Sequence, residues 1–356
     1  MALFSSRKNR KSNAAVVEAE RRPESIEAGR LESEGRYFDA IDLLTEANRI
    51  ERDPRIEREL RTLRHRAGIE LLENSPENPQ YPEPATGAPA RGEQSRCPEV
   101  TPDQLTPEIV RAAFLEAGCL LVRDVMDDDK ALRLAADIDH SFEVRANLDE
   151  GESDPDGFYD EMQPETPFRI PEREWIEEGG GVLAADSPKM LFDMLDTFEK
   201  ANLRKVIETY LGEKPAISAQ KCTLRKATPD ISGGWHQDGK FMGEDVRSIN
   251  VWLSLSRCGD VAPSMDIVPV RLEEFVETGG EGTYLDFQIS DATAAKSAGD
   301  IGVVRPIFNP GDALLFDHIF LHQTGSDPSM PNPRYAIESW FFGPSSYPEN
   351  YVPIAF

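Results

Sequence analysis

Cysteine is scarce in this sequence: Cys97, Cys119, Cys222 and Cys258 are scattered, with no CxxC and no paired spacing. That excludes a zinc knuckle or a disulfide framework and fits a reducing compartment. A spanning helix needs about 18 consecutive apolar residues, and no such run occurs. The opening MALFSSRKNRKSNAAVVEAE is basic but has no apolar stretch of the kind a secretory leader carries. A soluble, cytoplasmic protein is the expectation. Positive charge is also in short supply: 39 Lys and Arg stand against 65 Asp and Glu, a formal net charge of -26. Such a field repels nucleic acid and anionic membranes, so neither is expected as a partner. Gly179-Gly180-Gly181 lacks the Gly-Lys-Ser/Thr ending of a phosphate loop and reads as a turn.

What remains is a chain of 356 residues, 39% hydrophobic, with enough material for one large domain and an appendage. Residues 1–20 are polar and basic and are expected to be disordered. Over 21–73 the apolar residues recur at helical spacing: Ala28 and Leu31, then Tyr37, Ala40, Ile41, Leu44 and Ala47, with Gly35 between the two helices and a third helix from about Ile56 to Leu72. Gly35, Tyr37, Ala40, Leu44 and Ala47 resemble one line of a tetratricopeptide repeat. A single repeat makes a helical hairpin and not a solenoid, since about three are needed for a continuous core. The hairpin reads either as an arm for a protein partner or self-association, or as a helical pair packed on the main domain. Residues 74–104, NSPENPQYPEPATGAPARGEQSRCPEVTPDQ, are rich in Pro, Glu, Gly and Ser and read as a flexible or polyproline linker.

From 105 to 356 helices come first and strands later, an α+β order. Thr106-Pro107-Glu108 is a good helix start. Beyond Ile217 the period changes to two, with strands expected at 217–227, 248–256, 264–270, 283–290, 303–308, 313–317 and 335–342. Many short strands between Gly, Pro and Asp turns read as a barrel or jelly roll, and the expected fold is a double-stranded β-helix, cupin-like, with flanking helices.

The chemistry begins with GGWHQDGKFMG, where His236 and Asp238 form an HxD. Alone that tripeptide is weak evidence. It gains weight from His322, just after the apolar run ALLFD, and from Arg334 at the start of the last strong strand. Two neutral imidazoles and a carboxylate on one face of an octahedral Fe(II) leave three positions open, enough for a bidentate oxoacid and O2 together. An arginine on a facing strand can fork the oxoacid's far carboxylate. His318 precedes His322 by one i,i+4 step; on a strand that is about 13 Å, too far to share one ion. His318 therefore reads as structural, as do His65 and His140.

FLEAGCLLVRDVMDDD, WHQDG, INVWLSL, GDALLFDHIFLHQTG and RYAIESWF together resemble the phytanoyl-CoA dioxygenase family of Fe(II)/2-oxoglutarate oxygenases, over about residues 105–345. The resemblance implies His236, Asp238 and His322 as iron ligands. It implies Arg334 and Thr324 on the distal carboxylate of 2-oxoglutarate, and Trp252 lining the cosubstrate pocket. With O2 as the other cosubstrate, the implied reaction hydroxylates an unactivated C–H of a small molecule or carrier-linked metabolite and releases succinate and CO2. Relatives that halogenate lack the carboxylate, which Asp238 supplies here. Where the family carries Pro-Gly-Ser-His, this chain reads Val268-Pro269-Val270-Arg271-Leu272, so the substrate of other members does not carry over. Of Gln220 and Lys221 only one can face the barrel interior, and Gln220 is chosen as a substrate contact. Trp340 shares the Arg334 face and is a second candidate. The alternatives are a cupin-like isomerase or an oxoglutarate-independent dioxygenase, neither of which needs Arg334 and Thr324, and a non-catalytic interaction protein that works through its helical arm.

Overall fold

The computed structural model describes residues 22–148, 151–231 and 233–356; the stretch expected to be disordered, 1–20, lies outside the described residues. Three helices open it: α1 (Pro23–Ser33), α2 (Tyr37–Ile50) and α3 (Pro54–Glu73). Asp53 caps α3 by accepting from the Arg55 amide, with Pro54 in the first turn. After β1 (Glu99–Val100) come α4 (Pro107–Ala117), β2 (Cys119–Val122), α5 (Asp128–Asn147), α6 (Arg173–Glu178), β3 (Gly181–Leu183), α7 (Pro188–Lys200) and α8 (Leu203–Leu211). Thr106 caps α4, and Gly118, at φ 74, ends it in the left-handed conformation that lets β2 start at once.

The strand-rich half follows: β4 (Ala216–Ala227), α9 (Gly239–Met242), β5 (Ser248–Ser254), β6 (Ser264–Ile267), α10 (Asp291–Ala298), β7 (Ala313–Phe316), β8 (His322–Gly325), β9 (Arg334–Phe342) and β10 (Pro353–Ala355). The main sheet runs β1-β2-β7-β5-β9-β4-β10 with β3 beside β4, and β6 pairs with β8 in a second, two-stranded sheet. A cavity between the two sheets is lined from both, by Trp252 and Arg334 of one and Met265 and His322 of the other. This two-sheet arrangement is consistent with a double-stranded β-helix. The outer face of the main sheet is covered by α7 and α8, whose Met190, Met194, Phe198 and Ile207 share a core with Ile217, Val251 and Phe341.

Two expected strands are absent. Residues 283–290 and 303–308 make only isolated bridges, at Ile289, Val304 and Phe308. In the first, Tyr284 is 89% exposed and three positive-φ glycines precede it; in the second, Pro306 has no amide to donate. Conversely, β8 is a strand of mostly polar residues, HQTG, that alternation does not reveal.

The Pro-rich segment is not a loose linker. Tyr81 lies between the guanidinium groups of Arg111 and Arg247, at 4.5 and 3.8 Å, and against Tyr210 at 5.1 Å. Cys97 is fully buried and β1 joins the sheet beside β2. An extended, proline-stiffened backbone loses little entropy on docking, and a few anchors suffice to hold it.

The helical arm is likewise seated on the sheet domain. His65 donates from Nδ1 to the Pro353 carbonyl (2.8 Å) and accepts at Nε2 from the Glu165 amide (3.0 Å), while buried Arg64 donates to the Ala355 carbonyl. Ala355 belongs to the same apolar cluster as Ala40, Ile41, Leu44 and Leu60. Gly68 makes this approach possible, since a Cβ there would sit 2.9 Å from the Pro353 carbonyl group. Gly68→Val is therefore expected to destabilise the whole protein by about 2 kcal/mol or more, read as a lower urea midpoint. Gly29→Val, at a position with nothing within 4 Å, should leave the midpoint almost unchanged.

Candidate metal and anion site

Short-range backbone chemistry builds the centre. His236 and His322 face each other in an isolated antiparallel bridge: the His236 amide donates to the His322 carbonyl (2.9 Å) and the His322 amide to the His236 carbonyl (3.1 Å). This pair brings the two rings to a centroid distance of 4.5 Å. Each ring then donates its Nδ1–H to the carbonyl two residues earlier, His236 to Gly234 (2.7 Å) and His322 to Phe320 (3.1 Å). With the tautomers set this way, both Nε2 lone pairs remain available as ligands. Asp238 sits at the entrance to α9, where its own carbonyl accepts from the Phe241 and Met242 amides.

The His236 Nε2 lies 3.7 Å from Asp238 Oδ1 and the His322 Nε2 3.6 Å from Asp238 Oδ2. One ligand atom from each residue falls within 4.8 Å of the others. Among the described residues, buried Asp238 Oδ2 has no hydrogen-bond partner. An orphaned carboxylate oxygen facing two free imidazole nitrogens is what a divalent cation would satisfy, so the residues fit a metal. Burial raises the Asp238 carboxyl to about 6 against the pull of His236, and burial pushes His322 well below the usual histidine range.

Gln237, between the two ligands in sequence, is fully buried and points away from them. It donates to the Ile319 carbonyl (2.5 Å) and accepts from the Val276 amide (2.8 Å), tying the HxD turn to both flanking loops. Gly239 leaves room for the Phe275 ring and His318. His318 itself lies in a turn between β7 and β8, hydrogen-bonded to Ser248 Oγ and the Glu244 carbonyl, and stands outside the metal cluster.

The centre opens into a cavity of about 310 Å³. Arg334, Thr324 and Trp252 all line it. Arg334 is 4% exposed; its Nη1 donates to the Ser264 carbonyl (3.1 Å), its Nε has no partner, and its guanidinium lies 5.4 Å from the Trp252 ring. Among the described residues no carboxylate pairs with it, and burial lowers its pKa to about 10. A buried cation kept without a counter-charge is costly unless a ligand supplies one.

Two sequence expectations change. Trp340 does not reach the cavity: it is fully buried, edge-on to Phe316 at 5.6 Å and stacked with Phe342 at 6.0 Å, a packing residue of the barrel wall. Gln220 borders the cavity, but its amide is spent on backbone: it donates to the Arg169 and Asn350 carbonyls and accepts from the Val352 amide. A register shift between Ile217 and Cys222 turns β4 so that Lys221, Thr223, Arg225 and Ala227 face inward as an alternating set. Lys221 is thus the cavity-facing residue that the choice of Gln220 passes over. Phe287 was also missed; its segment was expected to be a strand, whereas irregular backbone brings its ring to within 6.2 Å of His236 and 5.1 Å of Phe241.

No protein-family model matches this chain, and no curated protein matches it. Solved structures do. EctD from S. alaskensis, crystallised with 2-oxoglutarate and 5-hydroxyectoine, superposes with a TM-score of 0.49 at 18% identity, over 78% of this chain and 89% of that one. EctD has also been crystallised with bound Fe. SnoK, a non-heme α-ketoglutarate-dependent carbocyclase from nogalamycin biosynthesis, gives 0.43 at 15% identity over 68% and 86% of the two chains. AviO1 from Streptomyces viridochromogenes Tue57 gives 0.41 at 17% identity, over 66% and 94%. Likeness at this level is silent on chemistry, which rests on the cavity's own residues.

A stability test follows from the buried carboxylate. Between the ordinary carboxylate range and about pH 6 the folded protein holds a proton that the unfolded chain releases. Stability therefore falls as pH rises through that window, and the full cost is present at neutral pH. For metal-stripped protein at pH 7.5, Asp238→Asn should raise stability by on the order of 2–3 kcal/mol, with no gain near pH 4. Mn(II) should raise the melting temperature of the wild type and leave that of the variant unchanged.

Proposed function

We propose that this protein is an Fe(II)- and 2-oxoglutarate-dependent oxygenase that oxidises an unactivated C–H of a small molecule or carrier-linked metabolite, using O2 and releasing succinate and CO2. One observation carries the reading. The same cavity holds a His-Asp-His donor set and, at its other wall, a buried arginine with no carboxylate partner among the described residues. A metal centre accounts for the first; a dianionic chelator that reaches from metal to guanidinium would account for both. The motifs shared with the phytanoyl-CoA dioxygenase family belong to the same proposal.

In this reading His236, Asp238 and His322 hold the metal through two Nε2 atoms and a carboxylate oxygen. Iron and 2-oxoglutarate together supply the oxidising chemistry with O2; the protein supplies position and dryness. Arg334 forks the distal carboxylate, restoring the charge balance its burial disturbs, and Thr324 offers the same carboxylate a hydroxyl. Trp252, beside the guanidinium, keeps it from swinging aside. The hydrogen bonds from each Nδ1 to a backbone carbonyl fix the ring orientations and leave both Nε2 atoms free to hold a metal. With its carboxylate Asp238 would be a third protein ligand where halogenating relatives have none, so hydroxylation, or a desaturation or ring closure of the same class, is the expected outcome.

Protein loaded anaerobically with Fe(II) and 2-oxoglutarate and then exposed to O2 should form succinate slowly without added substrate. Arg334→Lys keeps a charge but loses the fork; it should weaken 2-oxoglutarate by about ten- to a hundredfold while Mn(II) still binds. Absence of both oxoglutarate binding and succinate formation in the wild type would sink the proposal.

A further inference from the structure

The cations near the cavity are nearly all accounted for. Arg225 pairs with Glu338 at 3.3 Å, Lys226 with Asp139 at 2.6 Å, and Arg334 is assigned above. Lys221 is different. It lines the cavity, yet among the described residues it makes no ion pair and no hydrogen bond. Its ammonium instead lies 4.5 Å from the Phe241 ring, 5.8 Å from Tyr351 and 6.0 Å from Trp175. Asp238, Glu338 and Glu172 act on it from beyond ion-pair distance; the first belongs to the metal set, the second to Arg225, and Glu172 does not line the cavity. Aromatic faces steady a cation without neutralising it, so its charge remains available to an anion that enters from the mouth. Burial, with the nearby Arg225 charge acting in the same direction, pushes the ammonium below its ordinary range, and a bound anion would oppose that shift.

The surroundings narrow the anion. One ammonium without a second uncommitted cation beside it balances one negative charge, which suits a carboxylate better than a phosphate dianion. Trp175, Phe241 and Leu285 are 57, 37 and 48% exposed at the cavity, and Phe287 lies deeper beside His236. These make an apolar wall between Lys221 and the metal ligands. We infer that Lys221 is a specificity-determining residue that receives the carboxylate of the substrate, and that the substrate is a small hydrophobic monocarboxylic acid whose body lies against Trp175, Phe241 and Phe287. This assignment rests on the oxygenase reading and names the substrate class for that site.

The test is calorimetric and anaerobic, on full-length protein holding Mn(II) and saturating 2-oxoglutarate, with 3-phenylpropionate and 3-phenylpropionamide as paired probes. Wild type should bind the acid about tenfold or more tightly than the amide, the factor expected of a hydrogen bond to a charged group. Lys221→Met should bring the two affinities together and Lys221→Arg should keep the preference, each variant first shown to unfold in one cooperative transition. Equal affinities in the wild type, no binding of the acid, or a preference that survives Lys221→Met would overturn the assignment. Binding of 2-oxoglutarate to the Mn(II)-loaded wild type is measured beforehand. Its failure removes the oxygenase reading and this inference together, whereas normal oxoglutarate binding without acid preference removes the role of Lys221 alone.

Discussion

Two reciprocal backbone hydrogen bonds, between His236 and His322, hold the site together. They join a turn after β4 to the first residue of β8, and every later feature of the centre depends on that junction. Because the bonds are between main chains, the ring positions follow from strand pairing, with side-chain freedom removed afterwards by the Nδ1 contacts to Gly234 and Phe320. Gln237 and Gly239 serve the same junction from outside, one by filling the hydrogen-bonding needs of two loops and the other by leaving space for Phe275. A constellation fixed in this way is ready before any ligand arrives, and little reorganisation is left to oppose binding.

That readiness has a cost in stability. Asp238 and Arg334 are buried and Lys221 is half-buried, and among the described residues none has an oppositely charged partner that offsets it, so the unliganded fold carries charges that favour the unfolded chain. Elsewhere the chain behaves differently. Asp186 is buried but bound by Arg173 and the Met162 amide, and Asp312 is buried but bound by Arg123 and two amides. Both of these carboxylates are fully engaged by a guanidinium and backbone amides, which the three cavity groups are not. Buried Arg64, which donates to the Ala355 carbonyl and makes no ion pair among the described residues, shows that a charge can also be buried without a counter-charge away from the cavity.

Stability is made up at the other side of the sheet. The arm's α3 and the C-terminal β10 meet through Gly68, Arg64 and His65, so the first described helices and the last strand form one packed unit. The Pro-rich strap runs over the domain and is anchored by Tyr81 and Cys97. Neither element touches the cavity. The arm packs against α7 and β10, and the strap against α8 through Tyr81 and into the Trp252 cluster through Cys97.

Local rules made much of this legible. The helix start at Pro107 follows from capping chemistry, and β4, β5, β7 and β9 follow from alternation, because both depend on residues a few positions apart. His236, Asp238, His322 and Arg334 were nameable in advance since their chemistry is rare and their order is simple. What the chain alone left open needed contacts between distant segments. The polar strand β8 exists because β6 pairs with it, and the register shift in β4 gives the cavity Lys221 and leaves Gln220 to bind backbone. Residue types and local periodicity thus determined the chemistry on offer and most of the elements. Tertiary structure decided which face each strand shows, because a shift of one residue in register reverses every side chain beyond it.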